Sequence, residues 1–94
     1  MEKLVIVVSQ AAAREFQGND GPVTAVDLNL SDGLNQFLAT AYDKTALRLA
    51  KDPLPVGSLI NAEMQFSVRN VKTEKGEFAN QQVRLSNYGI IVKP

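Results

Sequence analysis

Ninety-four residues, of which 45% are hydrophobic and 21% charged, fit one domain over residues 1–94 with a modest core. Ten basic and ten acidic side chains cancel, and the chain has neither cysteine nor histidine. Disulfides and thiolate chemistry are thereby excluded, and histidine-based metal sites or acid–base catalysis with them.

The N-terminal run KLVIVVSQ, residues 3–10, is rich in β-branched residues and reads as a first strand. Its apolar part is too short for a secretory signal, and no stretch approaches the roughly 20 apolar residues of a membrane span. A cytoplasmic setting without membrane contact is the expectation. Arg14 and Phe16 lead into Gln17-Gly18-Asn19-Asp20-Gly21-Pro22, a cluster of turn formers that reads as a loop. Residues 23–30 alternate and predict a second strand, with Val26, Leu28 and Leu30 on one face. Ser31-Asp32-Gly33 makes a turn. Residues 36–42, QFLATAY, read as a third strand whose buried face the pattern leaves open; a helix through the alanine-rich segment is the other reading. Thr45 is a candidate N-cap for a short helix, TALRLAKD, that Asp52-Pro53-Leu54-Pro55 ends.

The longest signal runs over residues 61–88. Ala62, Met64, Phe66 and Val68 alternate with polar residues, as do Ala79, Gln81, Val83 and Leu85, about the charged turn Thr73-Glu74-Lys75-Gly76-Glu77. This predicts a long β-hairpin with Gly76 at a positive backbone angle, Phe66 in the core and a polar outer face. Residues 89–94 prolong or end the last strand. Residues 1–63 hold five basic and eight acidic side chains; residues 64–94 hold five basic (Arg69, Lys72, Lys75, Arg84, Lys93) and two acidic ones. The hairpin half is thus locally basic and suited to phosphates.

Five strands with a helix between the third and fourth match an all-β architecture, the five-stranded OB-fold Greek-key barrel. An α+β sandwich is the other arrangement this order allows. From Gln36 onward the chain resembles the bacterial single-stranded DNA-binding proteins. The resemblance rests on Tyr42-Asp43-Lys44 before TALRLAKD, on PVGSLINAEMQFSV, and on RNVKTEKGEFANQQVRLSNYGII. It covers about residues 36–92; phage helix-destabilising proteins are a second resemblance. Gln36 and Thr73 stand where the family usually has tryptophan, and Tyr42 alone keeps an aromatic at its matching position. The acidic C-terminal tail through which family members recruit partners has no counterpart after Lys93-Pro94, so that recruitment is not expected.

Sequence-independent binding of single strands needs cations along the phosphates and aromatic faces for the bases. An OB-fold binds on strands 2–3 between the 1–2 and 4–5 loops. That selects Arg14 and Phe16 in the first loop, Tyr42 and Lys44 at the end of strand 3, and Arg69, Lys72, Lys75, Phe78 and Arg84 on the hairpin. Phe37 is core or platform, Tyr88 packs under the barrel or in a subunit contact, and Arg48 and Lys51 are solvated. The amide-rich hairpin face suits pairing of subunits, so a homodimer or homotetramer is expected. An enzyme is not: no histidine base accompanies Ser9, Ser31 or Ser58, and there is no phosphate-binding glycine loop. No cofactor is implied. The leading expectation is a binder of single-stranded DNA in replication, recombination or repair, with RNA as an open alternative partner. The competing one is an OB-like domain used for protein assembly.

Overall fold

Apolar residues at every second position mark the strand over residues 23–30 and the long C-terminal hairpin, and a first strand long enough to serve two neighbours lets the sheet close into a barrel. In a computed structural model the backbone is described over residues 1–94, with all side chains except those of Arg69, Asn70, Val71, Thr73, Phe78, Ala79 and Asn80. The elements are β1 (Glu2–Gln10), β2 (Arg14–Gly18), β3 (Gly21–Ser31), β4 (Gln36–Tyr42), α1 (Asp43–Lys51), β5 (Leu59–Thr73) and β6 (Gly76–Val92). No helix among the described residues is long and apolar enough to cross a membrane.

The start of β1 pairs antiparallel with β5 (Val5 opposite Ile60), and its end pairs antiparallel with β3 (Val7 opposite Leu30). A shift of register between Val7 and Ser9 lies where the strand bends from one partner to the other. β3 pairs with β4 and β5 with β6, both antiparallel. One parallel pair, Thr40 with Arg84, joins β4 to β6. The circuit β1–β3–β4–β6–β5–β1 is complete, and its thinnest seam is that single pair. This is the expected OB-fold barrel with its helix between the third and fourth barrel strands.

It has one strand more than expected. The segment read as the approach to a loop is β2, a hairpin partner of β3 in which Arg14 faces Ala25 and Gly18 faces Gly21. Asn19 and Asp20 form a two-residue turn, and Gly21 takes φ 124°, a conformation open to glycine. Gly18 has little room for a side chain: a Cβ there would lie 2.7 Å from Val23 Cγ2.

Val5, Val7, Val26, Leu28, Leu30, Ala39, Ala41, Ile60, Ala62, Met64 and Leu85 fill the barrel. Each large aliphatic side chain among them contributes about 1.5–3 kcal/mol through burial. The ambiguity of β4 is resolved: Ala39 and Ala41 point inward, and Leu38 points out.

α1 plugs one end with Ala46 and Leu49. It begins at Asp43, earlier than the Thr45 cap expected, and Asp43 takes φ 52°, which aspartate tolerates better than most residues. Thr45 does not cap. Its Oγ1 donates to Ser86 O (2.9 Å), tying the helix to β6. Gln10 Nε2 donates to Leu49 O (3.1 Å), and Gln10 Oε1 accepts from Leu54 N (3.0 Å). Arg48, expected to be merely solvated, lies 4.1 Å from the Tyr88 ring centre and donates to Tyr88 O. Tyr88 therefore packs under the barrel, and burial pushes its phenol above the usual tyrosine pKa.

At the opposite mouth, Met1 and Met64 exchange main-chain hydrogen bonds (3.0 and 2.8 Å). There Asp32 accepts from Leu34 N, Asn35 N and Lys3 Nζ at 2.8–2.9 Å. These bonds, the main-chain one from Asn35 foremost, hold its carboxyl well below the usual carboxylate range.

Beyond this mouth β5 and β6 continue as a free two-stranded arm. The nine residues after Met64 in β5 extend it by about 30 Å at about 3.3 Å per residue. Gly76 at its turn has φ 124°, as expected. A register shift between Glu63 and Met64 leaves Ser86 as the extra residue of β6, so Leu85 and Tyr88 both face inward. The expected core position of Phe66 is overturned. Met64 is 1% exposed, but Phe66, on the same face two residues on, is 56% exposed because no barrel lies beneath it.

Candidate nucleic-acid interface

The outer face of β3 and β4 forms a floor between the β2–β3 hairpin and the base of the arm. Register sets its rows: Asp27 faces Thr40, Asn29 faces Leu38, and Ser31 faces Gln36. Asn29 Nδ2 donates to Gln36 Oε1 (3.3 Å). Asp27 is the charged centre. Its Oδ2 accepts from Arg14 Nε (3.1 Å), and its Oδ1 from Arg14 Nη2 (3.3 Å) and Thr40 Oγ1 (2.7 Å). The Arg14 hydrogen bond holds the Asp27 carboxyl below its ordinary value, against partial desolvation. Asp27 in turn raises the Arg14 guanidinium.

Arg14 and Tyr42 flank Ala25 on adjacent strands. Ala25 belongs to the outward series of β3 yet is fully buried. A methyl group there keeps the neighbouring side chains close. The Phe16 and Tyr42 rings meet edge to face, 6.3 Å between centres and 82° between planes. The Arg14 guanidinium carbon is 5.7 Å from the Phe16 centroid, and that of Arg84 is 5.3 Å from the Tyr42 centroid. Arg84 reaches Tyr42 because its backbone forms the parallel seam with Thr40. The result is a ladder, Arg14–Phe16–Tyr42–Arg84, across one end of the floor. Beside it opens a groove of about 590 Å³, lined by Arg14, Leu38, Thr40, Tyr42, Phe66 and Arg84 among others. Cations next to accessible aromatic faces can hold phosphates and stack bases in one place.

Four expected site residues, Arg14, Phe16, Tyr42 and Arg84, thus come together. Lys44 is exposed on α1 and is not among the residues lining the groove. Lys72 and Lys75 are exposed at the tip of the arm, where Lys72 Nζ lies 3.3 Å from Glu77 Oε1. The side chains of Arg69 and Phe78 lie outside the described residues. The sequence reading missed Asp27, Thr40, Leu38 and Phe66, and the amides of Gln65, Gln81 and Gln82 along the groove wall. Leu38 is 69% exposed on the floor; the one available signal was that its neighbours Ala39 and Ala41 are small enough for the barrel interior. Asp27 was a lone acid in the alternating VDLNL run, and its partner lies on a strand not foreseen.

Solved structures share this architecture. The chain is similar in fold to the second OB-fold domain of replication protein A from Methanococcus maripaludis (TM-score 0.65, 21% identity, 99% of this chain and 84% of that one). It is likewise similar to the mitochondrial single-stranded DNA-binding protein of S. cerevisiae (TM-score 0.61, 10% identity, 100% and 95%). A third is the small single-stranded DNA-binding protein of Streptomyces coelicolor (TM-score 0.58, 17% identity, 98% and 94%). The resemblance to such OB-folds holds across the whole chain, at identities that speak for the fold. No family model and no curated protein sequence matches the chain.

Proposed function

We propose that the groove binds single-stranded DNA without sequence preference, by stacking bases on Tyr42 and Phe16 and holding phosphates with Arg14 and Arg84. The observation that carries this reading is the cation–aromatic ladder at the end of an open groove, in the place where OB-folds bind oligonucleotides. Lys44, Lys72 and Lys75, exposed on α1 and at the tip of the arm, are further phosphate candidates for a longer strand, and Arg69 and Phe78 remain candidates by residue type. The role is passive coverage of exposed strands in replication, recombination or repair, without catalysis. A cytoplasmic setting suits the cysteine-free composition. Titrating a labelled thymidine oligonucleotide at two salt concentrations tests this. Log affinity should fall by about 0.7 per phosphate contact per log unit of salt. No binding at low salt would sink the reading, and a parallel uridine series decides between DNA and RNA.

A second observation favours self-assembly as a companion property. Ile6, Leu59 and Val92 form a cross-strand row on the outside of β1, β5 and β6, with Leu4 and Ile91 nearby. All but Leu59, which is half-buried, are exposed. Such a row would be covered in a homodimer or homotetramer. Sedimentation of the wild type and of Ile6→Glu checks this: an oligomer that the substitution dissociates is expected, and a wild-type monomer at all concentrations contradicts it.

A further inference from the structure

Above the Thr40–Arg84 pair, β4 and β6 separate, and a second cleft of about 420 Å³ opens over the barrel mouth. Phe37, Met64, Phe66, Val68 and Val83 give it an apolar wall, and the Lys3–Asp32 ion pair (2.9 Å) stands at its edge. Its volume is in the range of about 300–1,000 Å³ usual for ligand sites. Phe66 and Val83 also line the groove beside Tyr42, as do Ser67, Gln81 and Gln82. The two clefts therefore meet at the base of the arm, and Phe66 stands where they meet.

On a strand with no barrel beneath it, Phe66 has its cross-strand pair with Val83 and still leaves more than half of its surface open. We propose that Phe66 is a base-stacking platform, and that the inner-face cleft takes a nucleobase of the same strand that the groove holds. This inference rests on the proposed single-strand binding and extends its site from the outer face, across the open seam, to the inner face of the arm. The occupant follows from continuity. A strand whose phosphates pass Arg84 lies within reach of both sides of Phe66, and an unpaired base is the flat apolar group it can turn into a cleft with one apolar wall.

The chain contains no tryptophan, so Phe66→Trp places a single reporter in the cleft. Leu47→Trp, on the exposed face of α1 at the other end of the barrel, is the control. Binding of a fluorescein-labelled thymidine oligonucleotide is followed by anisotropy, and tryptophan emission is read with the unlabelled strand. The expected result is binding by the wild type and by Phe66→Trp, strong quenching of Trp emission in the latter, and none in Leu47→Trp. Phe66→Ala should bind roughly 5- to 150-fold more weakly, the range of one lost base stack. Two results overturn the inference and leave the groove reading intact: anisotropy showing binding without quenching at position 66, or full affinity of Phe66→Ala. Emission at position 66 that is blue-shifted without oligonucleotide and shifts to the red on dilution also overturns it, because a second copy of the chain then covers the ring. No oligonucleotide bound by the wild type removes both the groove reading and this inference.

Discussion

The same hairpin lives in two environments. Up to Met64, β5 is a barrel strand whose inward residues Ile60, Ala62 and Met64 are buried. One step further along the same alternation, Phe66 and Val68 are open to solvent. The pattern that specifies a strand does not specify what lies beneath it. In the barrel it stabilises the fold; in the arm an identical pattern leaves apolar side chains free for a ligand. Hydrogen bonding differs less than packing does, since the ladder from Leu59–Val92 to Thr73–Gly76 is continuous apart from two register shifts.

The widest contrast is in stability. Met64→Ala should lose about 2–5 kcal/mol, as large-to-small changes in cores do. Phe66→Ala, two residues on, should lose less than about 0.5 kcal/mol. Urea denaturation of both variants measures the difference, and equal losses would mean that the arm is packed like the barrel.

Tyr42→Ala should reverse the order for binding. Affinity for a thymidine oligonucleotide falls by about 1–3 kcal/mol with the lost stack, while Leu49→Ala, a core change that touches neither cleft, binds as the wild type does where it remains folded. Anisotropy titration reads this.

Acid sharpens the barrel side further. The folded-state pKa of Asp32 is lowered, so its contribution is complete above the ordinary aspartate value of about 3.9 and is lost as pH falls towards the folded value. Asp32→Asn should melt lower than the wild type at pH 7, and the gap should narrow progressively as pH falls below about 4. A gap independent of pH would show that the charge of Asp32 has no part in holding the mouth.

The smallest effect belongs to the tip of the arm. Lys72→Gln breaks an exposed ion pair with Glu77 and should change stability by no more than about 0.5–1 kcal/mol. Paired with Lys75→Gln it should flatten the salt dependence of DNA binding by about 0.7 per lost contact. An unchanged slope removes the tip from the site.

Much of this was legible in the chain. β3 and the arm announce themselves because apolar residues at every second position have few other uses, β1 does so by its β-branched run, and Pro53 and Pro55 mark the end of the helix. β2 was hidden for a physical reason: Arg14, Glu15, Phe16 and Gln17 are all exposed, so no buried face marks the strand. Main-chain pairing with β3 holds it, and the signal for that was the Gly18-Asn19-Asp20-Gly21 turn alone. The Ser86 bulge was hidden because one extra residue flips the parity without changing composition. Within the site, Arg14, Phe16, Tyr42 and Arg84 could be picked as residue types, yet their convergence depends on strand register and on the small Ala25 between two of them. Asp27 was missed because its role is set by an arginine on the unforeseen strand. Phe66 was hidden because alternation marks a face of the strand and says nothing of what lies beneath it.

The central claim is that the outer face of β3 and β4, with the ladder from Arg14 to Arg84, is the nucleic-acid surface. Amide chemical-shift mapping with a thymidine oligonucleotide tests it most directly. Shifts should concentrate at Arg14, Phe16, Thr40, Tyr42, Gln65 and Arg84, and Leu4, Ile6 and Leu47 should stay in place. Shifts confined to the β1 face or to α1, with the ladder unmoved, would contradict it.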